Sequence, residues 1–266
     1  MILDILLYIC IFIDIICFIK LYKIIKNMYI LKKNLIDNTC IIIYDKPNRN
    51  NIYKITSMIF EYICNNLIFD INDEKNIIKK LKDKKEYNII LNTSGGNIVS
   101  NDILINFIII SKIKLNIYIN KKAQSAGTVL AFSATKLYID KDAYLSPTDP
   151  QISFDDDTYS IRSFIELCEN KNINNVTDKY LLTYYENKKL YNENITLIKN
   201  LLKNKFRKNI SKDKKQDFIF DITYGFKSHH TPYCGSYLNK ILDINLNLPK
   251  NILEINDLFD DIYEYL

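Results

Sequence analysis

At 266 residues, with 48% hydrophobic and 25% charged residues, the chain is long enough to bury one substantial core and too balanced to be disordered or fibrous. Its 36 Lys and Arg against 31 Asp and Glu leave a net charge of +5, but the lysines are scattered among acids without a basic stripe, so no nucleic-acid partner is expected. The six cysteines (Cys10, Cys17, Cys40, Cys64, Cys168, Cys234) form no C-x-x-C pair and no metal-ligand spacing with the two histidines, which predicts buried thiols in a reducing compartment and no bound metal.

Taken in chain order, Met1 to Ile19 is almost wholly apolar and, as a helix, is roughly 28 Å long, close to one hydrocarbon thickness. The stretch predicts a transmembrane anchor over residues 1–19; Asp14 is the residue that fits it least. Lys20, Lys23, Lys26, Lys32 and Lys33 all follow the run, which places the bulk of the chain on the cytoplasmic side of a single span. Residues 20–38 continue in a mixed apolar and basic pattern and are expected to form a juxtamembrane helix near anionic lipid.

The main domain is expected over residues 39–250, with a tail helix over 251–266. Cys40 to Tyr44 is predicted as a first buried strand, and helical spacing covers about Ile52 to Leu67. Asn72-Asp73-Glu74 marks a helix start. Glu86 to Leu91 is a strand that runs into Ser94-Gly95-Gly96, followed by a helix from about Ile98 to Ser111. Leu115 to Ile119 is the next strand and delivers the chain to Ser125, after which Val129 to Phe132 belongs to a short buried helix. Lys136 to Ile139 and Ala143 to Ser146 supply two more short strands, and the chain is mainly helical from about Tyr159. This alternation predicts an α/β fold built on a largely parallel sheet.

Three of the five glycines fall in Ser94-Gly95-Gly96 and Ser125-Ala126-Gly127, in a chain that otherwise avoids glycine. A serine at a strand-to-helix junction meets unpaired backbone N–H groups and the positive end of a helix dipole. With amides of Gly95 or Gly96 and of Ala126 as an oxyanion hole, Ser125 has what acyl transfer needs apart from a base. There is no P-loop and no dinucleotide fingerprint, so no cofactor is expected.

Three stretches carry a family resemblance: Leu91-Asn92-Thr93-Ser94-Gly95-Gly96-Asn97, Ala123-Gln124-Ser125-Ala126-Gly127-Thr128, and Leu145-Ser146-Pro147-Thr148-Asp149-Pro150-Gln151. Together they resemble the signature of the serine dehydrogenase proteinase family, of the ClpP/crotonase fold group and related to signal peptide peptidase A. The resemblance implies a ClpP/crotonase-like βαβ spiral with a helical C-terminal part, Ser125 as nucleophile, a polypeptide substrate and a homo-oligomer. Two residues depart from the family pattern: Ser94 stands where proline is usual, and Ala126 stands where glycine is usual. At the position of the ClpP histidine the chain has Asp149, which cannot serve as the same base.

Two groups compete for the base. Aligning the helix that follows the sheet with that of serine–lysine relatives assigns Lys189, although Glu186 and Glu193 lie within one helical turn of it and Lys188 is the more apolar position. His229 matches the family histidine in Ser228-His229-His230-Thr231-Pro232, and an unperturbed imidazole needs little tuning. The resulting expectation is a membrane-anchored serine endopeptidase with Ser125 as nucleophile, Lys189 or His229 as base, and an oxyanion hole of Gly95, Gly96 and Ala126. The alternatives are an inactive membrane scaffold of the same fold, and a crotonase-like acyl-CoA hydratase or isomerase relying on a carboxylate base.

Overall fold

Short runs of isoleucine, leucine and tyrosine, bounded by polar or charged residues, form the central sheet. The structure, a computed structural model, describes residues 19–20, 22–35, 40–45, 68–82, 84–154, 157–172, 176–224 and 228–263. The expected helix over Ile52 to Leu67 and the apolar stretch 1–18 lie outside these residues. Among the described residues no helix is long and apolar enough to cross a membrane.

Strands β1 (Cys40–Tyr44), β2 (Ile68–Phe69), β3 (Glu86–Asn92), β4 (Lys114–Ile119) and β6 (Lys136–Ile139) make a five-stranded sheet in the order β2-β1-β3-β4-β6. Every pairing in it is parallel. Parallel strands require crossovers, and the chain supplies α2 (Glu74–Leu81) and α3 (Ile98–Ile110) on the way, with α4 (Ala126–Ser133) after the serine. Ile41, Ile43, Ile89, Leu91, Ile117 and Ile119 face one side, where they share a core with Ile77, Leu104, Ile108 and Leu130 of the three helices.

The alternate residues Cys40, Ile42, Tyr44, Ile90 and Tyr118 face the other side. A helix over residues 22–35 (α1) covers them with Met28, Leu31 and Leu35, each fully buried. The C-terminal helix Lys250–Tyr263 (α8) adds Ile252, Ile255, Phe259 and Ile262. A strand buried on both faces explains the unbroken apolar run of β1 and the Ile89-Ile90-Leu91 run of β3. The two segments read as a juxtamembrane helix and a tail thus turn the buried residues Ile24 to Leu35 and Ile252 to Ile262 towards the sheet.

The helical part consists of α5 (Ile161–Asn170), α6 (Asp178–Leu202) and α7 (Lys212–Tyr224), with Ile161, Ile165, Tyr191 and Ile195 packed between the first two. Ahead of it lies an antiparallel hairpin, β8 (Gln151–Phe154) with β9 (Asp157–Ser160), in which Ile152 opposes Tyr159. The sequence reading has no strands there, because the acidic triplet Asp155-Asp156-Asp157 reads as a solvated helix start. A small second sheet joins β5 (Lys122–Ala123), β7 (Tyr144–Leu145) and β10 (Tyr233–Cys234).

Candidate active site

In parallel α/β sheets, ligand sites form beyond the carboxyl ends of the strands. Here the chain leaves β3 into Thr93-Ser94-Gly95-Gly96 and leaves β4, through β5, into Gln124-Ser125. Backbone bonds tie the two turns together: the Thr93 N–H donates to Lys122 O at 3.1 Å, and the Gln124 N–H donates to Thr93 O at 3.0 Å.

Ser125 is half-buried at the N-cap of α4 with φ 51° and ψ −117°. Only Lys112 shares a positive φ with it among the described non-glycine residues. That conformation costs an ordinary residue about 1–3 kcal/mol and is typical of a nucleophile held on a sharp strand-to-helix turn. The Ser125 N–H donates to Ser146 Oγ at 2.9 Å. Its own hydroxyl has no hydrogen-bond partner among the described residues. Thr128, one turn into α4, secures the corner by donating its hydroxyl to Ala123 O at 2.8 Å and Ser146 O at 2.9 Å.

The turn lies directly against the serine. Gly95 has φ +112°, and a Cβ there would fall 2.9 Å from Ser125 Cβ and 3.0 Å from Gln124 O. Gly95→Ala is therefore expected to cost about 1–3 kcal/mol of stability and to displace Ser125. Thermal denaturation together with peptide hydrolysis would show both losses. The Gly95 N–H donates to Thr93 Oγ1 at 3.1 Å, whereas the amides of Gly96 and Ala126 have no acceptor among the described residues.

His229 and Asp149, 80 positions apart, meet with Nδ1 2.7 Å from Oδ1. The Asp149 side chain is only 4% exposed and the imidazole 19%. Gln151 donates Nε2–H to the other carboxylate oxygen at 2.7 Å, so both oxygens of the buried carboxylate are satisfied. With Nδ1–H donating to Asp149, the lone pair of the imidazole is on Nε2. Asp149 follows by three residues Ser146, whose hydroxyl accepts from the Ser125 N–H, so its Cα lies at most about 11 Å from that of Ser146. No hydrogen bond joins the Ser125 hydroxyl to the imidazole in this structure. Catalytic hydrogen bonds of unliganded enzymes often close only in the substrate complex.

The lysine candidates stand apart from burial. The Lys189 side chain is 79% exposed on α6 with its ammonium 3.9 Å from Glu193, so the desolvation that a lysine base requires is missing. Lys188 is held at 2.7 Å by Glu169 and at 2.7 Å by the Tyr184 hydroxyl, contacts that raise its pKa rather than lower it. The Asp149–His229 pair escaped the sequence reading, in which Asp149 served only to exclude a histidine at its own position.

On α3, just beyond the turn, burial and then the Glu193 carboxylate push Asp102 up from 3.8 to about 6. The folded state holds this proton more tightly, so stability present at acid pH is lost as pH rises from about 4 through 6. Discounted for solvent screening of a half-exposed group, Asp102→Asn is expected to gain about 1 kcal/mol at pH 7.5 and little at pH 4. Urea unfolding at the two pH values measures the difference.

Residues 2–264 match the family described as ClpP-like SDH-type serine proteinase. Two uncharacterized proteins of Methanocaldococcus jannaschii are 24% and 25% identical to the chain over 193 residues. Each alignment takes in 71% of this chain, which spans 65% and 63% of the relatives' own lengths. A match across nearly the whole length, on a parallel α/β sheet that presents a strained serine, supports one assignment. The chain belongs to the family of ClpP-like SDH-type serine proteinases.

Proposed function

We propose that the chain is a serine-type endopeptidase that cleaves polypeptides through Ser125, with His229 as base and Asp149 orienting it. The observation that carries this reading is the conformation of Ser125: a left-handed backbone at a helix N-terminus, an unpaired hydroxyl, and Gly95 hard against its Cβ. In this scheme Ser125 Oγ attacks the scissile carbonyl and His229 Nε2 takes its proton. Asp149 stabilises the imidazolium, and the Gly96 and Ala126 amides hold the oxyanion. The imidazolium then protonates the leaving amine, and water releases the acyl group by the same route in reverse.

The buried Asp149–His229 bond favours histidine over Lys189. It also weighs against the acyl-CoA reading, because the Asp149 carboxylate is spent on His229 and Gln151 rather than free as a base. An inactive scaffold is favoured by one feature, the missing bond between Ser125 and His229. Hydrolysis of casein or a fluorogenic peptide by the full chain, abolished in Ser125→Ala, separates the two. Family membership supports a homo-oligomer, and the apolar stretch Met1 to Ile19 supports a membrane tether with the domain on the cytoplasmic side.

A further inference from the structure

Beside the glycine turn, at the end of β1, Asp45 accepts from two donors of that turn. Its Oδ1 accepts the Thr93 hydroxyl at 2.7 Å, and both oxygens lie 2.9 Å from the Ser94 N–H. With its proton committed to Asp45, the Thr93 hydroxyl turns a lone pair to the Gly95 N–H at 3.1 Å. Lys122 closes the arrangement from the serine side: Nζ donates to Ser94 Oγ at 2.5 Å and stands 4.0 Å from Asp45 Oδ2. The chain Gly95 N–H to Thr93 hydroxyl to Asp45 carboxylate has one donor direction, and a charged acceptor at its end makes it stronger than a neutral one.

We propose that Asp45 and Lys122 are positioning residues that set the amide directions of the Gly95-Gly96 turn through Thr93 and Ser94. The proposal rests on the serine-peptidase reading, in which that turn supplies an oxyanion donor. Paired glycines have wide backbone freedom, while an oxyanion donor must lie within about 2.7–3.1 Å of the developing charge. Main-chain bonds fix Thr93 against the Ser125 loop, but they stop short of Gly95 and Gly96. The carboxylate and the ammonium constrain the turn from its Thr93-Ser94 end, while Asn72 Oδ1 accepts the Asn97 N–H at 2.6 Å beyond Gly96. A displacement of about 1 Å at such a turn costs on the order of 10²-fold in rate, which sets the size of the effect.

The experiment uses the full-length chain with a fluorogenic peptide, and amide hydrogen exchange of the peptide containing residues 93–97. Asp45→Ala is expected to lower kcat by about 10–100-fold with KM nearly unchanged, and to speed exchange at the turn. Lys122→Met is expected to act in the same direction, with Lys122→Arg restoring kcat. Unchanged kcat and unchanged exchange in Asp45→Ala and Lys122→Met would overturn the clamp, as would a loss that appears in KM alone. A wild-type chain with no Ser125-dependent hydrolysis would instead overturn the peptidase reading, and the exchange measurement still decides whether the clamp holds the turn.

Discussion

Ser125→Ala is expected to reduce kcat for peptide hydrolysis by about 10⁴-fold or more while leaving the fold intact. The hydroxyl makes no hydrogen bond among the described residues, so its removal breaks nothing that stabilises the domain. The structural ties of this residue belong to its backbone: the N–H reaches Ser146 Oγ, and its carbonyl accepts from Thr128 and Val129 at the start of α4. Alanine keeps those bonds but retains the Cβ that makes φ 51° costly, so the melting temperature should move little. Near-complete loss of turnover at unchanged stability is the signature of a nucleophile. A fall in activity that tracks unfolding would indicate a helix cap instead.

The second large effect concerns the base. Asp149→Asn is expected to lower kcat by about 10³–10⁴-fold with KM nearly constant, since an amide in place of the carboxylate no longer selects the Nδ1–H tautomer. His229→Ala should cost at least as much. Lys189→Ala, at an exposed site, should stay within about twofold of wild type. Steady-state kinetics on the three variants distinguishes histidine from lysine chemistry. A severe Lys189→Ala defect beside an unaffected Asp149→Asn would reverse the assignment.

The sheet and the Ser125 corner were legible because their signals are local. Runs such as Cys40-Ile41-Ile42-Ile43-Tyr44 announce strands buried on both faces, and glycines in a glycine-poor chain mark backbone that a Cβ would obstruct. The Asp149–His229 pair was not legible in the same way. It joins residues 80 apart, and only the fold brings the segment after β7 beside the segment before β10. Asp45 is hidden for the same reason, since its partners Thr93 and Ser94 lie 48 and 49 positions downstream.

The helices at the two ends teach a different lesson. An apolar stripe records that a face is covered, not by what. In residues 22–35 the stripe Met28, Leu31, Leu35 among lysines suits lipid or protein equally, and here it lies on β1. The hairpin Gln151–Ser160 was missed because its strands are short, mostly exposed and joined by acids, so alternation is carried by little more than Ile152 and Tyr159.

The proposed nucleophile is Ser125, served by His229 and by the amides of Gly96 and Ala126. Treating the full chain with a fluorophosphonate probe and mapping the adduct by peptide mass spectrometry tests it most directly. A single adduct on Ser125 is expected, absent in Ser125→Ala and much slower to form in His229→Ala. Hydrolysis that survives Ser125→Ala, or an adduct on another residue, would contradict it.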